Sequence, residues 1–140
     1  MSLFLGVPYP TSKNPRGYWY SQSGLDQIKS DMLVLLLTNP GERVMLPEYG
    51  TPLRKLFFEP NDPSLAEQAR QVIINSIKLW EPRIAVTNIE VYTGANIDDE
   101  SLNSDDDLSQ KEHVLFIRIN FVDPENIKEV QELSLQVPLA

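Results

Sequence analysis

The feature of this sequence that most constrains the fold is a change in the spacing of its apolar residues at Pro82. Before Pro82, apolar or small side chains recur every three or four residues, which is typical of the buried face of an amphipathic helix. After Pro82 they recur every second residue, which is typical of a strand. A proline disfavours helical backbone at the residue before it, so the helix should end at Trp80. The predicted buried positions of this helix are Leu65, Ala69, Val72, Ile73, Ser76, Ile77 and Trp80.

Two other helices are predicted earlier in the chain. The first should begin after Ser23, whose hydroxyl can accept a hydrogen bond from an amide of the first turn. It should end near Thr38, because the residue before Pro40 is biased away from the helical region. A short helix should follow Thr51, since Pro52 suits the first position of a helix. The helices are thus expected to precede the long strands.

Three strands are predicted after Pro82. The first changes the phase of its alternation near Thr87-Asn88, so a β-bulge is expected there. The other two lie within residues 114–137 and form a C-terminal β-hairpin, closed by the turn sequence DPEN. N-terminal helices packed on a small antiparallel sheet of about three strands make this an α+β fold.

The chain is predicted to contain one domain, over residues 23–140, preceded by an extended arm over residues 1–22. The arm is rich in proline and glycine, which disfavours a helix, and its aromatic residues need a surface, either their own domain or a partner. Residues 97–111 are predicted to form an acidic loop, because the stretch IDDESLNSDDD holds six of the 20 acidic residues. This loop is therefore a local insertion and not a second domain.

Composition restricts the ligands that the chain could bind. A net charge of −8 is unfavourable for a phosphate-binding surface, so nucleic acid is not expected as a partner. The longest apolar run, MLVLLL, is much shorter than the roughly 20 residues of a membrane helix, so a soluble protein made in the cytoplasm is expected. There is no cysteine, the only histidine is His113, and no phosphate-binding glycine motif occurs. Neither a cofactor nor a metal is predicted.

A glycoside hydrolase is the enzymatic alternative, since such enzymes use two carboxylates about 5 to 9.5 Å apart, one of them a protonated acid. Four glutamates lie beside apolar residues in predicted loops or at helix ends. Two of them have an arginine within two residues, and a neighbouring cation favours the ionised carboxylate, the opposite of what a general acid needs. The four candidates are Glu42, Glu48, Glu59 and Glu81, and those with the arginine neighbour are Glu42 and Glu81.

The sequence Glu81-Pro82-Arg83 indicates a different role. Proline stiffens the backbone between the two charged residues, and rigid presentation reduces the entropy lost on binding. The guanidinium of Arg83 suits carboxylates or the carbonyls of a helix C-terminus, so the motif could dock on a partner. Alternatively, Arg83 could form an internal pair with Glu59 or Glu42. The residues alone leave both alternatives open.

Two stretches, LLLTNPGERVMLPEYGTPLRKLFFEPNDP and IKLWEPRIAV, resemble the baseplate wedge family of contractile phage tails, historically named gene 25-like lysozyme. The same family includes the type VI secretion baseplate subunit at the foot of the sheath. The resemblance extends from Leu25 to about Tyr92. Its motif residues are Pro40, Gly41, Glu42, Arg43, Pro47, Gly50, Phe58, Glu59, Pro60 and Trp80.

This resemblance implies a structural protein shaped like a small sheath subunit, and not an enzyme. It implies docking on the wedge core through Glu81, Pro82 and Arg83, and templating of the first sheath ring. The implied partners are other wedge proteins, the tail sheath subunit and tube or hub proteins, with six copies or a multiple of six in the assembly. The implied location is the virion tail baseplate, or alternatively the cytoplasmic face of a secretion-type baseplate.

The C-terminal hairpin supplies a physical route to templating. An exposed sheet edge can accept a strand from a sheath subunit by β-augmentation, in which main-chain hydrogen bonds give the affinity. We therefore predict sheath-strand docking at Leu133, Leu135 and Val137, which alternate along the last strand.

Overall fold

The computed structural model describes residues 5–58, 63–93 and 114–138. Among these residues the chain forms two α-helices, one 3₁₀ helix and five strands. In chain order they are β1 (Leu5–Gly6), β2 (Gln22–Ser23), α1 (Gly24–Leu37), the 3₁₀ helix (Leu53–Phe58), α2 (Pro63–Trp80), β3 (Ala85–Thr93), β4 (Val114–Asp123) and β5 (Asn126–Pro138).

Helix α1 has the limits that the sequence predicts. It begins directly after Ser23, whose extended backbone occupies the N-cap position, although the expected side-chain hydrogen bond is not made. It ends at Leu37, and the N–H of the C-cap residue Thr38 still donates to the carbonyl of Val34 at 3.0 Å. One face of the helix is buried, because its apolar residues share a helical stripe. That face comprises Ile28, Met32, Leu35 and Leu36.

Helix α2 also matches its pattern. Its buried face includes Leu65, Ala69, Ile73 and Ile77, each at most 2% exposed. The helix ends at Trp80, and only the Glu81 N–H continues the hydrogen bonding, to the carbonyl of Ile77 at 2.8 Å. The chain then turns from helix to strand within four residues.

The main sheet is antiparallel in the order β3-β4-β5, so β4 is central and the other two strands are its edges. Its register places Ile89 beside Ile119, and Ile119 beside Leu133. The predicted bulge is confirmed by a register shift between Val86 and Asn88. The face of β4 turned to the helices is almost inaccessible to solvent. Its residues are Leu115, Ile117, Ile119 and Phe121.

The α+β prediction is confirmed, with one addition at the amino terminus. Strand β1 pairs antiparallel with β2, so the predicted arm folds back, and its boundary at residue 22 falls inside β2. The turn between them exposes aromatic side chains, including Tyr18 at 72% and Trp19 at 61%. The described part of the arm is therefore attached to the domain by a small sheet, while its aromatic turn faces solvent.

Several sequence predictions lie outside the described residues. These are the acidic loop over residues 97–111, His113, Glu59 and Pro60. Within the described ranges, neither α-helix is long and apolar enough to cross a membrane.

Candidate functional site

The predicted docking motif lies where α2 gives way to β3. Glu81 follows the last helical residue and is only 4% exposed, so its carboxylate would be costly to bury without a partner. Arg83 supplies that partner. Its Nε donates to Oε1 of Glu81 at 2.5 Å, and its Nη2 donates to Oε2. The two side chains therefore form a bidentate pair across Pro82.

A second carboxylate joins this pair from another element. Arg83 Nη2 also donates to Oδ2 of Asp31, on α1, at 2.7 Å. Arg83 thus bridges two acidic groups, and its hydrogen bonds to Glu81 are the main cause that raises the pKa of the guanidinium above its ordinary value. The pair ties α1 to the start of β3.

The alternative of an internal pair is therefore the arrangement observed, but with a different acidic partner. Glu42 pairs instead with Arg54, at 3.6 Å, and Glu59 lies outside the described residues. The sequence did not indicate Asp31, because the limits and the buried stripe of its helix do not say what its polar residues contact. A carboxylate one helical position from that stripe carries no local sign that it faces Arg83.

Asp31 is itself held by Gln27, one helical turn earlier. The Gln27 side-chain nitrogen donates to Oδ1 of Asp31 at 2.8 Å and to the carbonyl of Val7 at 3.4 Å. Gly6 leaves the space for this amide, since a Cβ there would come within 2.5 Å of the Gln27 side chain. The Gln27 amide therefore links the amino-terminal segment to a charged cluster that consists of Asp31, Glu81 and Arg83.

The loop after α1 begins with the predicted turn. Glu42 N–H donates to the carbonyl of Asn39 at 3.1 Å, and Gly41 has a φ of 96°, as the third position of a type II turn requires. The Glu42 carboxylate accepts from the Asn39 side chain at 2.9 Å and from its backbone N–H at 3.0 Å. These bonds, led by the side-chain one, lower the pKa of Glu42.

The same loop is closed at its far end by a close backbone approach. Thr51 N–H donates to the carbonyl of Thr38 at 2.8 Å, and Gly41 N–H donates to that of Pro47 at 2.7 Å. Gly50 has a φ of 129°, and a Cβ there would lie 2.4 Å from the Thr38 oxygen. Only glycine fits this position, so the family motif residues Gly41, Pro47 and Gly50 fix the shape of the loop.

The closed loop places an aromatic stack against the end of α2. The ring of Tyr49 packs edge-on against Trp80, with centroids 5.3 Å apart and planes at 65°. On Tyr49 lies the guanidinium of Arg43, 4.6 Å from the ring centroid. Burial is the main cause that raises the pKa of Tyr49. Three residues from two distant motifs thus form one stack.

The charged cluster and the aromatic stack line a single open groove of about 480 Å³, which we call the motif groove. The sequence predicted Arg43, Trp80, Glu81 and Arg83 as site or motif residues but not Asp31 or Tyr49. Tyr49 could have been found, because it lies between Pro47 and Gly50 in a motif. The groove is lined by Asp31, Val34, Leu35, Thr38, Arg43, Tyr49, Trp80, Glu81 and Arg83.

Other predicted residues lie away from the motif groove. Phe58, at the end of the 3₁₀ helix, is 92% exposed. Leu133 and Val137 are buried at 7% each, and Leu135 packs against the core. A strand added to β5 would therefore meet its main-chain edge and not these three side chains.

Two of the four candidate carboxylates, those of Glu42 and Glu81, are arranged poorly for glycoside hydrolysis. Both oxygens of Glu81 accept from Arg83, so neither is free to donate a proton to a substrate oxygen. Glu42 has a lowered pKa, whereas a general acid needs a raised one. Among the described residues, no cluster of three or more acidic or histidine side chains could hold a metal ion.

Comparison with known proteins gives a consistent result. The sequence model of the family described as baseplate wedge protein gp25 matches residues 22–121 of this chain. The chain is also similar to baseplate wedge protein gp25 of Enterobacteria phage T4. The identity is 29% over 117 residues, which is 81% of this chain and 75% of the phage protein.

Solved structures share the fold. A Geobacter sulfurreducens protein described as a tail lysozyme has a TM-score of 0.64 at 21% identity, over 81% of this chain and 89% of that one. A chain of the type VI secretion system baseplate complex has a TM-score of 0.56 at 16% identity, over 81% of this chain and 92% of that one. At these identities the likeness concerns the fold.

Proposed function

This chain belongs to the gp25 family of baseplate wedge proteins, and we propose that it docks on the wedge core through the motif groove. The match to the family model confirms the resemblance predicted from the sequence. With it comes a structural role in the baseplate of a contractile injection machine. The docking surface, the sheath contact and the number of copies are the finer parts of this role that we propose.

The observation that supports docking is the convergence of family motifs on one concave surface. Arg43 and Tyr49 come from the loop after α1, and Glu81 and Arg83 come from the end of α2. Motifs that served only the core would not need to meet at an open groove. Hydrogen bonds and stacking hold these side chains before any partner arrives, which lowers the entropy cost of association.

Glu81-Pro82-Arg83 acts, on this proposal, mainly by shaping the groove. Arg83 is 26% exposed while it is paired, so it can receive a partner's acceptor without giving up Glu81. Substituting Arg83 is a poor test of docking, however, because it would leave the buried Glu81 carboxylate unpaired. A clean test must change the groove at an exposed position that the fold does not need.

Val34 and Leu37 provide a matched pair for that test, since both lie on α1 and are 37% and 39% exposed. Only Val34 lines the motif groove. In Val34→Arg, the long side chain should fill the groove and abolish association with purified wedge proteins of the same machine. Leu37→Arg should associate as the unsubstituted protein does. Equal association by both variants, with equal thermal stability, would exclude the groove as the docking surface.

For templating of the first sheath ring, we propose β-augmentation at the outer edge of β5. That edge is left unpaired by the order β3-β4-β5 among the described residues. Six copies around a tail tube would multiply modest contacts, because the later contacts of a ring become effectively intramolecular. In addition to the wedge proteins, the proposed partners are the sheath subunit and tube or hub proteins.

Proline substitution at neighbouring positions of β5 tests the augmentation. The N–H groups of an antiparallel edge strand point alternately to its neighbour and to the open side. Of Gln131→Pro and Glu132→Pro, one should therefore weaken the β4-β5 pairing, and the other should block only strand addition. Amide hydrogen exchange identifies which is which. The second variant should bind wedge proteins but not start sheath polymerisation; normal sheath growth with it would exclude the edge.

We also propose that the chain does not act as a lysozyme-like glycoside hydrolase. The support is the geometry of the glutamates: Glu81 is fully engaged by Arg83, and Glu42 by Asn39 and Arg54. An assay of sugar release from peptidoglycan separates the two.

A further inference from the structure

We infer that the motif groove receives an acidic side chain, an aspartate or glutamate of a partner baseplate protein, on the guanidinium of Arg43. The inference rests on the proposed docking function, because it names the chemistry of the segment that docks. Its basis is an imbalance between hydrogen-bond donors and acceptors in the groove.

The carboxylate acceptors of the groove are already used within the domain. Both oxygens of Glu81 accept from Arg83. Of the two Asp31 oxygens, one accepts from Arg83 at 2.7 Å and the other from Gln27 at 2.8 Å. Each of these carboxylate oxygens therefore has a donor, although the single charge of Arg83 offsets only one of the two negative charges.

The donors of Arg43 are not used in this way. In the part of the chain that the structure describes, Arg43 makes no salt bridge or hydrogen bond through its guanidinium. The guanidinium instead makes a cation–π contact with the ring of Tyr49. An arginine guanidinium carries five N–H donors and no acceptor. Among the described residues, the groove thus presents a cation whose donors have no protein acceptor.

Stacking prepares Arg43 for a planar acceptor. The guanidinium carbon lies 4.6 Å from the centroid of the Tyr49 ring, and Arg43 is exposed, so its N–H groups remain accessible to a partner. Trp80 holds Tyr49 in turn, so the position of the fork is set before binding. A carboxylate matches this fork with two parallel hydrogen bonds, which a single carbonyl oxygen cannot do.

The apolar part of the groove indicates which kind of side chain lies next to the partner carboxylate. Val34 is partly exposed, and Leu35 and Trp80 continue the apolar lining beside it. An apolar side chain next to the acidic one would cover Val34 and exclude water from the Arg43 pair. The inferred docking segment therefore carries an aspartate or glutamate beside an apolar residue.

Affinity measurements with purified wedge proteins of the same machine test the charge. Arg43→Gln should bind about 30-fold more weakly, the lower end of the loss expected when one partner of an interfacial charge pair is removed. Binding should also become less sensitive to salt. Arg43→Lys should be intermediate, because it keeps the charge and loses the fork. Arg54 is a second exposed arginine, in the 3₁₀ helix and outside the groove, so Arg54→Gln should bind normally.

Chemical cross-linking tests the acceptor independently. In Arg43→Lys, a carbodiimide should join the introduced amine to the partner carboxylate as an amide, with loss of water. Mass spectrometry should locate the link on an aspartate or glutamate side chain. Leu37→Lys, outside the groove, should not give this link. A complex that forms without any link, or a link only to a chain-terminal carboxylate, would overturn the inference.

Different results would contradict docking through the motif groove and carboxylate binding by Arg43. If Val34→Arg abolishes association and Arg43→Gln leaves it unchanged, the motif groove is the docking surface but no carboxylate binds Arg43. If neither variant weakens association and both are folded, the docking function itself is wrong.

Discussion

Asp31 of α1 accepts a hydrogen bond of 2.7 Å from Arg83, which lies 52 residues later in the chain. Arg83 at the same time holds the buried carboxylate of Glu81. One guanidinium therefore joins the end of α2, the start of β3 and the middle of α1. Both the stability of the domain and the shape of the motif groove depend on it.

Arg83→Ala should lower the free energy of unfolding by about 3–5 kcal/mol, because the buried charge of Glu81 loses its partner. Urea unfolding measures this change. Arg118→Ala is the control, since Arg118 is 51% exposed and pairs with Glu90 and Glu132 at 3.5 and 3.6 Å. Its loss should be under about 1 kcal/mol. Similar losses for both variants would show that the Glu81 pair contributes no more than a surface pair.

Gly50→Ala should destabilise the protein by clearly more than Gly41→Ala. Both glycines have positive φ, which costs other residues roughly 1–2 kcal/mol. A Cβ at Gly41 meets nothing within 4 Å, but at Gly50 it would lie 2.4 Å from the Thr38 oxygen. The loop would have to open at Thr51. Equal thermal midpoints for the two alanine variants would contradict this account of the loop closure.

Glu42 should make stability depend on pH in the acidic range. Its pKa is lowered in the folded state, so its contribution is complete above the ordinary glutamate pKa of about 4.3 and is lost as the pH falls through the lower folded value. The thermal midpoint of the unsubstituted protein should therefore exceed that of Glu42→Gln at neutral pH. The difference should shrink on acidification; a difference independent of pH would exclude this origin.

The purified protein should release no reducing sugar from peptidoglycan above the background of Glu81→Gln. The reason is geometric, since both oxygens of Glu81 are engaged by Arg83. An active lysozyme serves as the positive control in the same assay. Sugar release that disappears in Glu81→Gln would instead support the enzymatic alternative.

The sequence predicted those parts of the fold that local signals determine. Pro82 ends α2 at Trp80, and the change of phase near Thr87 marks the bulge of β3. In each case the cause is a backbone restriction or a period that acts within a few residues. The hairpin of β4 and β5 belongs to the same class, because a short turn joins two alternating strands, although their register shifts between Val122 and Asp123 beside that turn.

The candidate site could be predicted only in part, because its geometry depends on long-range packing. Glu81 and Arg83 were identified, but the pairing of Arg83 with Asp31 requires α1 and α2 to pack in one particular register. The stack of Arg43 on Tyr49 requires the loop to close on itself. Similarly, nothing local indicated that β1 would return to β2 and place Val7 beside Gln27.

Gln27 connects the segment that follows β1 to the motif groove through hydrogen bonds. The Gln27 amide binds Val7 on one side and Asp31 on the other, and Asp31 continues to Arg83. The three hydrogen bonds follow one another from Val7 through Gln27 and Asp31 to Arg83. Val7 is thereby connected to Arg83 through three hydrogen bonds, of which the first, at 3.4 Å, is the longest.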